Sequence, residues 1–231
     1  MPNSQNAQLG PNTVHVWRFP LIAARQEMTA LGRWLGEVEC AALDRLLTSQ
    51  QRDKRVVAWG RLRYILSRYL LCSPVEIGIE REPSGCPKIV RPENSGLHFS
   101  LAHSGSLGLV GVSTSALGVD IERMRTLPEF VRLARRFFVQ NEIEAVTRVP
   151  KAEQARAFFR LWVHKEAYLK SVGSGVPAGL SQCEIALHSD GPQLVRSEFE
   201  HQLLLEIPVT KGYIAALAMS PQVTDVSVFD L

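Results

Sequence analysis

Leu97-His98-Phe99-Ser100-Leu101-Ala102-His103-Ser104-Gly105-Ser106-Leu107-Gly108-Leu109-Val110-Gly111-Val112-Ser113-Thr114-Ser115-Ala116-Leu117-Gly118-Val119-Asp120-Ile121-Glu122 is the stretch that decides the fold class. It holds three short strand-like runs, Leu97 to Ala102, Leu107 to Ser113 and Leu117 to Glu122. Ser104-Gly105-Ser106 and Thr114-Ser115 separate them, spacings short enough to predict antiparallel hairpins.

Outward from this block the pattern mixes both element types. Upstream, Val14-His15-Val16-Trp17 alternates as a short strand, and Glu37 to Leu47 carries Val38, Ala41, Ala42 and Leu46 at helical spacing. A second helix is predicted from Asp53 to Leu71, stopped by Ser73-Pro74. Val75 to Glu80 and Pro87-Lys88-Ile89-Val90 read as strands around the breaker Pro83-Ser84-Gly85. Downstream, helix signals run from Glu129 to Val172, and alternating segments return at Cys183–Leu187, Leu203–Ile207 and Tyr213–Met219. The class is α+β, with a boundary placed near Ala116-Leu117: a first lobe over residues 13–116 and a second over 117–231.

The chain's 231 residues suffice for two lobes of about a hundred residues each, and 45% hydrophobic with 21% charged residues is the balance of a globular protein. The net charge of +3 is modest, and the basic residues cluster between Arg52 and Arg68, which suits a local anionic partner better than a nucleic acid. Four scattered cysteines form no Cys-x-x-Cys pair, so they read as reduced thiols and not as zinc ligands or disulfides. The first dozen residues are polar, read as disordered and lack a signal-peptide core, and no run approaches the roughly 18 apolar residues of a membrane span. A cytoplasmic location without membrane contact is expected.

Candidate chemistry starts at Asp120 and Glu122, which strand periodicity turns to the same face, opposite Leu117, Val119 and Ile121. Alone, such a pair reads first as a solvated strand edge. A hard cation such as Mg²⁺ is the other way to hold two close carboxylates ionised, because it takes one or two carboxylates plus substrate phosphate oxygens. On the predicted helix around Trp162, steps of three or four join Phe159, Trp162, Glu166 and Leu169, so Glu166 falls within an apolar stripe. A carboxylate there requires an ion pair, for which Lys170 is spaced correctly, or a metal. His103, at a strand end beside a small polar turn, reads as a hydrogen-bonded core histidine or a phosphate contact.

Taken in order, these pieces resemble the 4'-phosphopantetheinyl transferases of the larger, surfactin-synthetase-type class. The resemblance runs from about Arg52 to about Leu187. Its specific part is Gly118-Val119-Asp120-Ile121-Glu122 followed by Trp162-x-x-Lys165-Glu166-Ala167-x-x-Lys170. Gly60-Arg61-Leu62-Arg63, Gly85-Cys86-Pro87-Lys88, Phe99-Ser100-Leu101-Ala102-His103-Ser104, Arg136-Phe137-Phe138 with Glu142, and Gly173-x-Gly175 accompany it. Two departures are visible: Ala102 stands where the family often has serine, and Cys86 separates Gly85 from Pro87-Lys88.

The resemblance implies a monomeric pseudodimer of two similar α+β lobes, each a small antiparallel sheet with helices, and an active site in the cleft between them. It implies coenzyme A as co-substrate and Mg²⁺, replaceable by Mn²⁺, on Asp120, Glu122 and Glu166. Lys170 is expected on the pyrophosphate and Lys165 near the leaving group or in helix packing. His103 and Lys88 match positions near the cofactor phosphates, and Arg55, Arg61 and Arg63 match the 3'-phosphate side. The reaction implied is transfer of the 4'-phosphopantetheine group to a serine of an acyl or peptidyl carrier protein, with 3',5'-ADP released. Arg132, Arg135 and Arg136, beside Leu127, Phe130, Leu133 and Phe137, form either a docking face for an acidic carrier or a helix that packs by its apolar side. Rival readings are a Mg²⁺-dependent phosphodiesterase using water and a non-catalytic coenzyme A or nucleotide-binding module.

Overall fold

The structure is a computed structural model, and it describes residues 8–125, 128–174 and 179–231. Residues 1–7 of the expected disordered start, Leu127 and Gly175 lie outside the described residues. The chain divides into two compact units, Met1–Ser115 with Thr224–Leu231, and Ala116–Val223.

The first unit is built on a four-stranded sheet of order β11-β1-β5-β4, with β1 at Thr13–Pro20, β4 at His98–Ser104, β5 at Leu107–Ser113 and β11 at Asp225–Asp230. β1 pairs antiparallel with β5 and parallel with β11. α1 (Arg25–Gly32), α2 (Glu37–Leu43) and α3 (Ser49–Leu70) accompany the sheet. α3 starts four residues before the predicted Asp53 because the Thr48 side chain accepts a hydrogen bond from the Gln51 amide and caps the helix. Its buried side holds Trp59, Leu62, Ile65 and Leu66, in one core with Phe19, Phe99, Val110 and Val112. α1 crosses α3 at Gly60, where a Cβ would lie 2.6 Å from Leu31 Cβ. The predicted strand from Val75 divides into a 3₁₀ turn at Pro74–Glu76 and β2 (Gly78–Arg81), which pairs with β3 (Pro87–Arg91).

The second unit holds a three-stranded antiparallel sheet, β6-β10-β9, with β6 at Leu117–Arg123, β9 at Leu203–Glu206 and β10 at Tyr213–Met219. The helical region resolves into α4 (Phe130–Phe137), α5 (Gln140–Arg148) and α6 (Lys151–Ser171). A hairpin of β7 (Cys183–His188) and β8 (Gly191–Ser197) completes it. α6 opens directly after Pro150 and is buried well beyond the predicted stripe: Leu161, Val163, His164, Lys165, Ala167, Tyr168 and Leu169 are all inside. Sheet, hairpin and the other two helices contact it from several sides, so one apolar stripe does not suffice. Each fully buried large apolar side chain here contributes about 1.5–3 kcal/mol relative to exposure.

Two expectations need correction. β4 and β5 form the predicted hairpin, but β5 and β6 do not pair: both edges of β5 are taken by β1 and β4, and β6 pairs with β10. The segment Thr224–Leu231, read with residues 117–231, is counted with the first unit because β11 hydrogen-bonds to β1.

Candidate active site

β6 and α6 build the site within the second unit. Along β6 the alternation places Gly118, Asp120 and Glu122 on the face that meets α6, with Ala218, Ala216 and Ile214 of β10 opposite them in register. Asp120 is 4% exposed, a depth at which a carboxylate requires partners. Lys170 Nζ donates to Asp120 Oδ1 at 2.6 Å and to the Val119 carbonyl at 3.2 Å. The same ammonium lies 3.8 Å from Glu166 Oε2, one helical turn back. Asp120 Oδ2 is buried without a hydrogen-bond donor at bonding distance.

The electrostatics of this group are unbalanced. Burial pushes the Asp120 carboxyl above its ordinary range, against the pull of Lys170. Glu166 is pushed up to about 8, first by burial and then by the negative charge of Asp120, with Glu122 adding to it and Lys170 opposing. Burial alone would lower the pKa of Lys170, but Asp120 and Glu166 outweigh it and the net direction is upward. Trp162, one helical turn before Glu166 on α6, opposes the rise at Glu166 slightly. Fully ionised, Asp120, Glu122, Glu166 and Lys170 sum to two negative charges, the complement of a divalent cation. The orphaned Asp120 Oδ2 and the raised Glu166 both suit such an ion. As they stand, no three His, Cys, Asp or Glu side chains among the described residues converge as a metal site does, and the Lys170 ammonium lies against Asp120.

Lys165 sits elsewhere. Fully buried, its ammonium donates to Glu142 Oε1 at 2.6 Å, to Glu142 Oε2 at 2.8 Å and to the Cys183 carbonyl at 2.5 Å. Glu142 also accepts from the Ile185 and Val139 amides, so this ion pair ties α5, α6 and β7 together. Of the two roles expected of Lys165, these contacts serve helix packing. At the end of α6, Gly173 has φ +67° and its amide bonds to the Lys170 carbonyl, which makes it the helix cap.

The remaining candidates belong to the first unit. Arg63 is 2% exposed; Nε donates to Glu39 Oε1 at 2.7 Å and Nη1 to the Pro74 and Ile77 carbonyls, so its guanidinium is consumed by the core. Arg61 pairs with Glu27 at 2.8 Å, and Lys88, more than half exposed, lies 3.2 Å from Glu82. His103 is half-buried near the end of β4, with Phe99 of the same parity in the core. Arg55 is different: burial and the positive charge of Arg81 lower its pKa, and no acidic partner is found for it among the described residues. Arg81, on β2, donates to the Gly85 carbonyl at 2.7 Å, and nothing in the local sequence relates its charge to Arg55 on α3.

On α4, Phe130, Leu133 and Phe137 pack against the second unit's core, and Arg132, Arg135 and Arg136 are exposed. Arg132 pairs with Glu129 and the Arg136 guanidinium lies 5.0 Å over the Phe137 ring.

Comparison with known proteins identifies the family. A family model for the 4'-phosphopantetheinyl transferase superfamily matches residues 116–218, the span that carries Asp120, Glu122, Glu166 and Lys170. The 4'-phosphopantetheinyl transferase HetI of Nostoc is 34% identical over 95% of this chain and 93% of its own length. The 4'-phosphopantetheinyl transferase psf-1 of Bacillus pumilus is 30% identical over 75% of this chain and 72% of its own. The 4'-phosphopantetheinyl transferase Sfp of Bacillus subtilis is 31% identical over 56% of each chain. The family and these relatives are 4'-phosphopantetheinyl transferases by name, a class of group-transfer enzymes. The chain belongs to the 4'-phosphopantetheinyl transferase superfamily and is an enzyme of that kind. Among the described residues no helix is long and apolar enough to cross a membrane.

Proposed function

We propose that the second unit's acidic cluster is the centre at which the 4'-phosphopantetheine group of coenzyme A passes to the serine of an acyl or peptidyl carrier protein. The observation that carries this is the buried group of Asp120, Glu166 and Lys170, which holds an unpartnered carboxylate oxygen and an excess of negative charge. Asp120, Glu122 and Glu166 would hold Mg²⁺ or Mn²⁺. Such an ion would supply positive charge beside a bound pyrophosphate and so ease displacement at phosphorus.

The chain's own residues do the rest by position and charge. Asp120 holds Lys170 Nζ, so the ammonium is fixed where charge on the bridging and leaving oxygens builds. The carrier serine oxygen forms the new bond to the phosphorus that bears the pantetheine arm. The P–O bond to the second phosphate breaks, and 3',5'-ADP leaves with the bond electrons. The serine proton passes to a Glu166 carboxylate oxygen. Arg55, which no acid pairs among the described residues, suits the 3'-phosphate, and the exposed arginines of α4 suit an acidic carrier surface. Arg63 and Lys165, committed to buried acids, take no part in this scheme beyond holding the fold.

The test is to incubate the protein with coenzyme A, Mg²⁺ and an apo carrier and weigh the carrier. A phosphopantetheine adduct that needs both coenzyme A and metal, and disappears in Glu166→Gln with the fold retained, is expected. Hydrolysis of coenzyme A with no adduct on any of several carriers would overturn it.

A further inference from the structure

We propose that Gly118 is a positioning residue: by letting the α6 backbone rest directly on β6, it sets the distance at which Asp120 and Glu166 face one another. The inference rests on the metal-site reading above and concerns a residue that touches neither substrate nor ion.

A Cβ added at Gly118 would lie 2.0 Å from the Ala167 carbonyl oxygen, 2.6 Å from the Ser171 amide nitrogen and 2.9 Å from Lys170 Cβ. Two of these three are backbone atoms of α6, so no rotamer change relieves them; the helix must retreat. Gly118 does not adopt positive φ, so space and not backbone freedom requires glycine here. The residue costs strand stability, because glycine has no side chain to pack and more chain entropy to lose, and a neighbour of larger size would otherwise be favoured.

The contact falls between the functional side chains. Ala167 follows Glu166, Lys170 holds Asp120, and Asp120 is two residues along β6 from Gly118 on the same face. Across the sheet, Ala218 and Ala216 stand opposite Gly118 and Asp120, so the neighbouring strand is also small under the helix. Restoring ordinary van der Waals contact to the Ala167 oxygen demands a shift of more than about 1 Å. Such a shift separates the Asp120 and Glu166 carboxylates while leaving every functional side chain chemically intact. Misplacement on this scale costs catalysis up to about 10²-fold.

The experiment is a Mn²⁺ titration followed by electron paramagnetic resonance, with carrier transfer measured in parallel. The Gly118→Ala protein, checked for folding by circular dichroism, should bind Mn²⁺ at least about tenfold more weakly and lose kcat by about 10²-fold, with KM for the carrier unchanged. In that background Asp120→Glu, longer by one methylene, should recover part of the Mn²⁺ affinity, whereas in the wild type it should lower it. Val146→Ala, a cavity in α5 away from the site, should lower the thermal midpoint without changing either readout. If Gly118→Ala does not fold, Ala216→Val applies the same outward push from β10 and should weaken Mn²⁺ binding likewise. Wild-type affinity in a folded Gly118→Ala or Ala216→Val protein overturns the inference. No Mn²⁺ binding by the wild type overturns instead the metal-site reading on which it stands.

Discussion

Lys170 Nζ lies 2.6 Å from Asp120 Oδ1 and 3.8 Å from Glu166 Oε2, so one ammonium serves two buried carboxylates that come from different elements. The arrangement resembles a salt bridge kept for stability only at first sight. A structural pair would be matched one to one; here negative charge remains, and Asp120 Oδ2 has no donor.

Lys170→Met is therefore expected to lower kcat on the order of 10²–10³-fold, the loss typical of removing one charge-stabilising donor from a transition state. The loss should fall on kcat more than on KM for coenzyme A, since the lysine matters most where charge develops. Steady-state transfer rates on purified, folded variant check this, and an unchanged kcat would place Lys170 outside the chemistry.

The cluster of Asp120, Glu166 and Lys170 is legible in the sequence because its two halves are local patterns: Gly118-Val119-Asp120-Ile121-Glu122 alternates within one strand, and Glu166 to Lys170 is one helical turn. The β4–β5 hairpin was legible for the same reason. What escaped depends on distant partners. Nothing near Asp225–Asp230 says that it pairs with a strand more than two hundred residues earlier, and nothing near Leu117 says that its partner is β10 and not β5. Lys165 and Arg63 looked like binding residues because their acids, Glu142 and Glu39, lie on other helices.

Lys165 should accordingly behave as a core residue. Lys165→Met leaves Glu142 buried with one partner gone, and breaking a buried pair typically costs about 3–5 kcal/mol. The two backbone amides that still bond to Glu142 soften this toward the lower end. Urea denaturation should show the loss, while the fraction that remains folded transfers at close to the wild-type kcat. A stable Lys165→Met protein with no activity would return Lys165 to the chemistry.

Arg55 and Arg63 divide in the opposite sense. Arg63→Ala strips a buried acid and two carbonyls of their donor and should destabilise the first unit by about 3–5 kcal/mol. Arg55→Ala should leave the denaturation midpoint nearly unchanged, because no acid pairs with Arg55 among the described residues. Its effect should be a KM for coenzyme A raised about tenfold, or roughly 1.4 kcal/mol, and lessened for a coenzyme A lacking the 3'-phosphate. Equal KM values for wild type and variant at low salt would remove Arg55 from the anion site.

Stability should also fall with acid through His15. Its Nδ1 is 2.8 Å from the Tyr69 hydroxyl, which accepts from Trp17 Nε1 at 2.8 Å and so gives its own proton to His15. Nδ1 is then an acceptor, and the imidazole is neutral. Burial lowers its pKa below the ordinary histidine value, with Asp225 on β11 opposing, and Phe229 covers the ring edge-on. Above about pH 6.5 neither folded nor unfolded chain protonates this group, and its contribution to stability is whole. Below that value the unfolded chain takes up the proton first, and stability drops until the pH passes the lowered folded-state pKa. His164, buried and shifted in the same direction, adds to the slope. Glu166 and Asp120, both raised, take up protons first in the folded state and work in the opposite sense over the same range, so the His15 contribution is read as a difference. From pH 7.5 down to pH 5 the thermal midpoint of His15→Gln, which still accepts from Tyr69 but does not titrate, should gain on that of the wild type. An identical pH profile in His15→Gln would mean that the Tyr69 contact survives protonation of the ring.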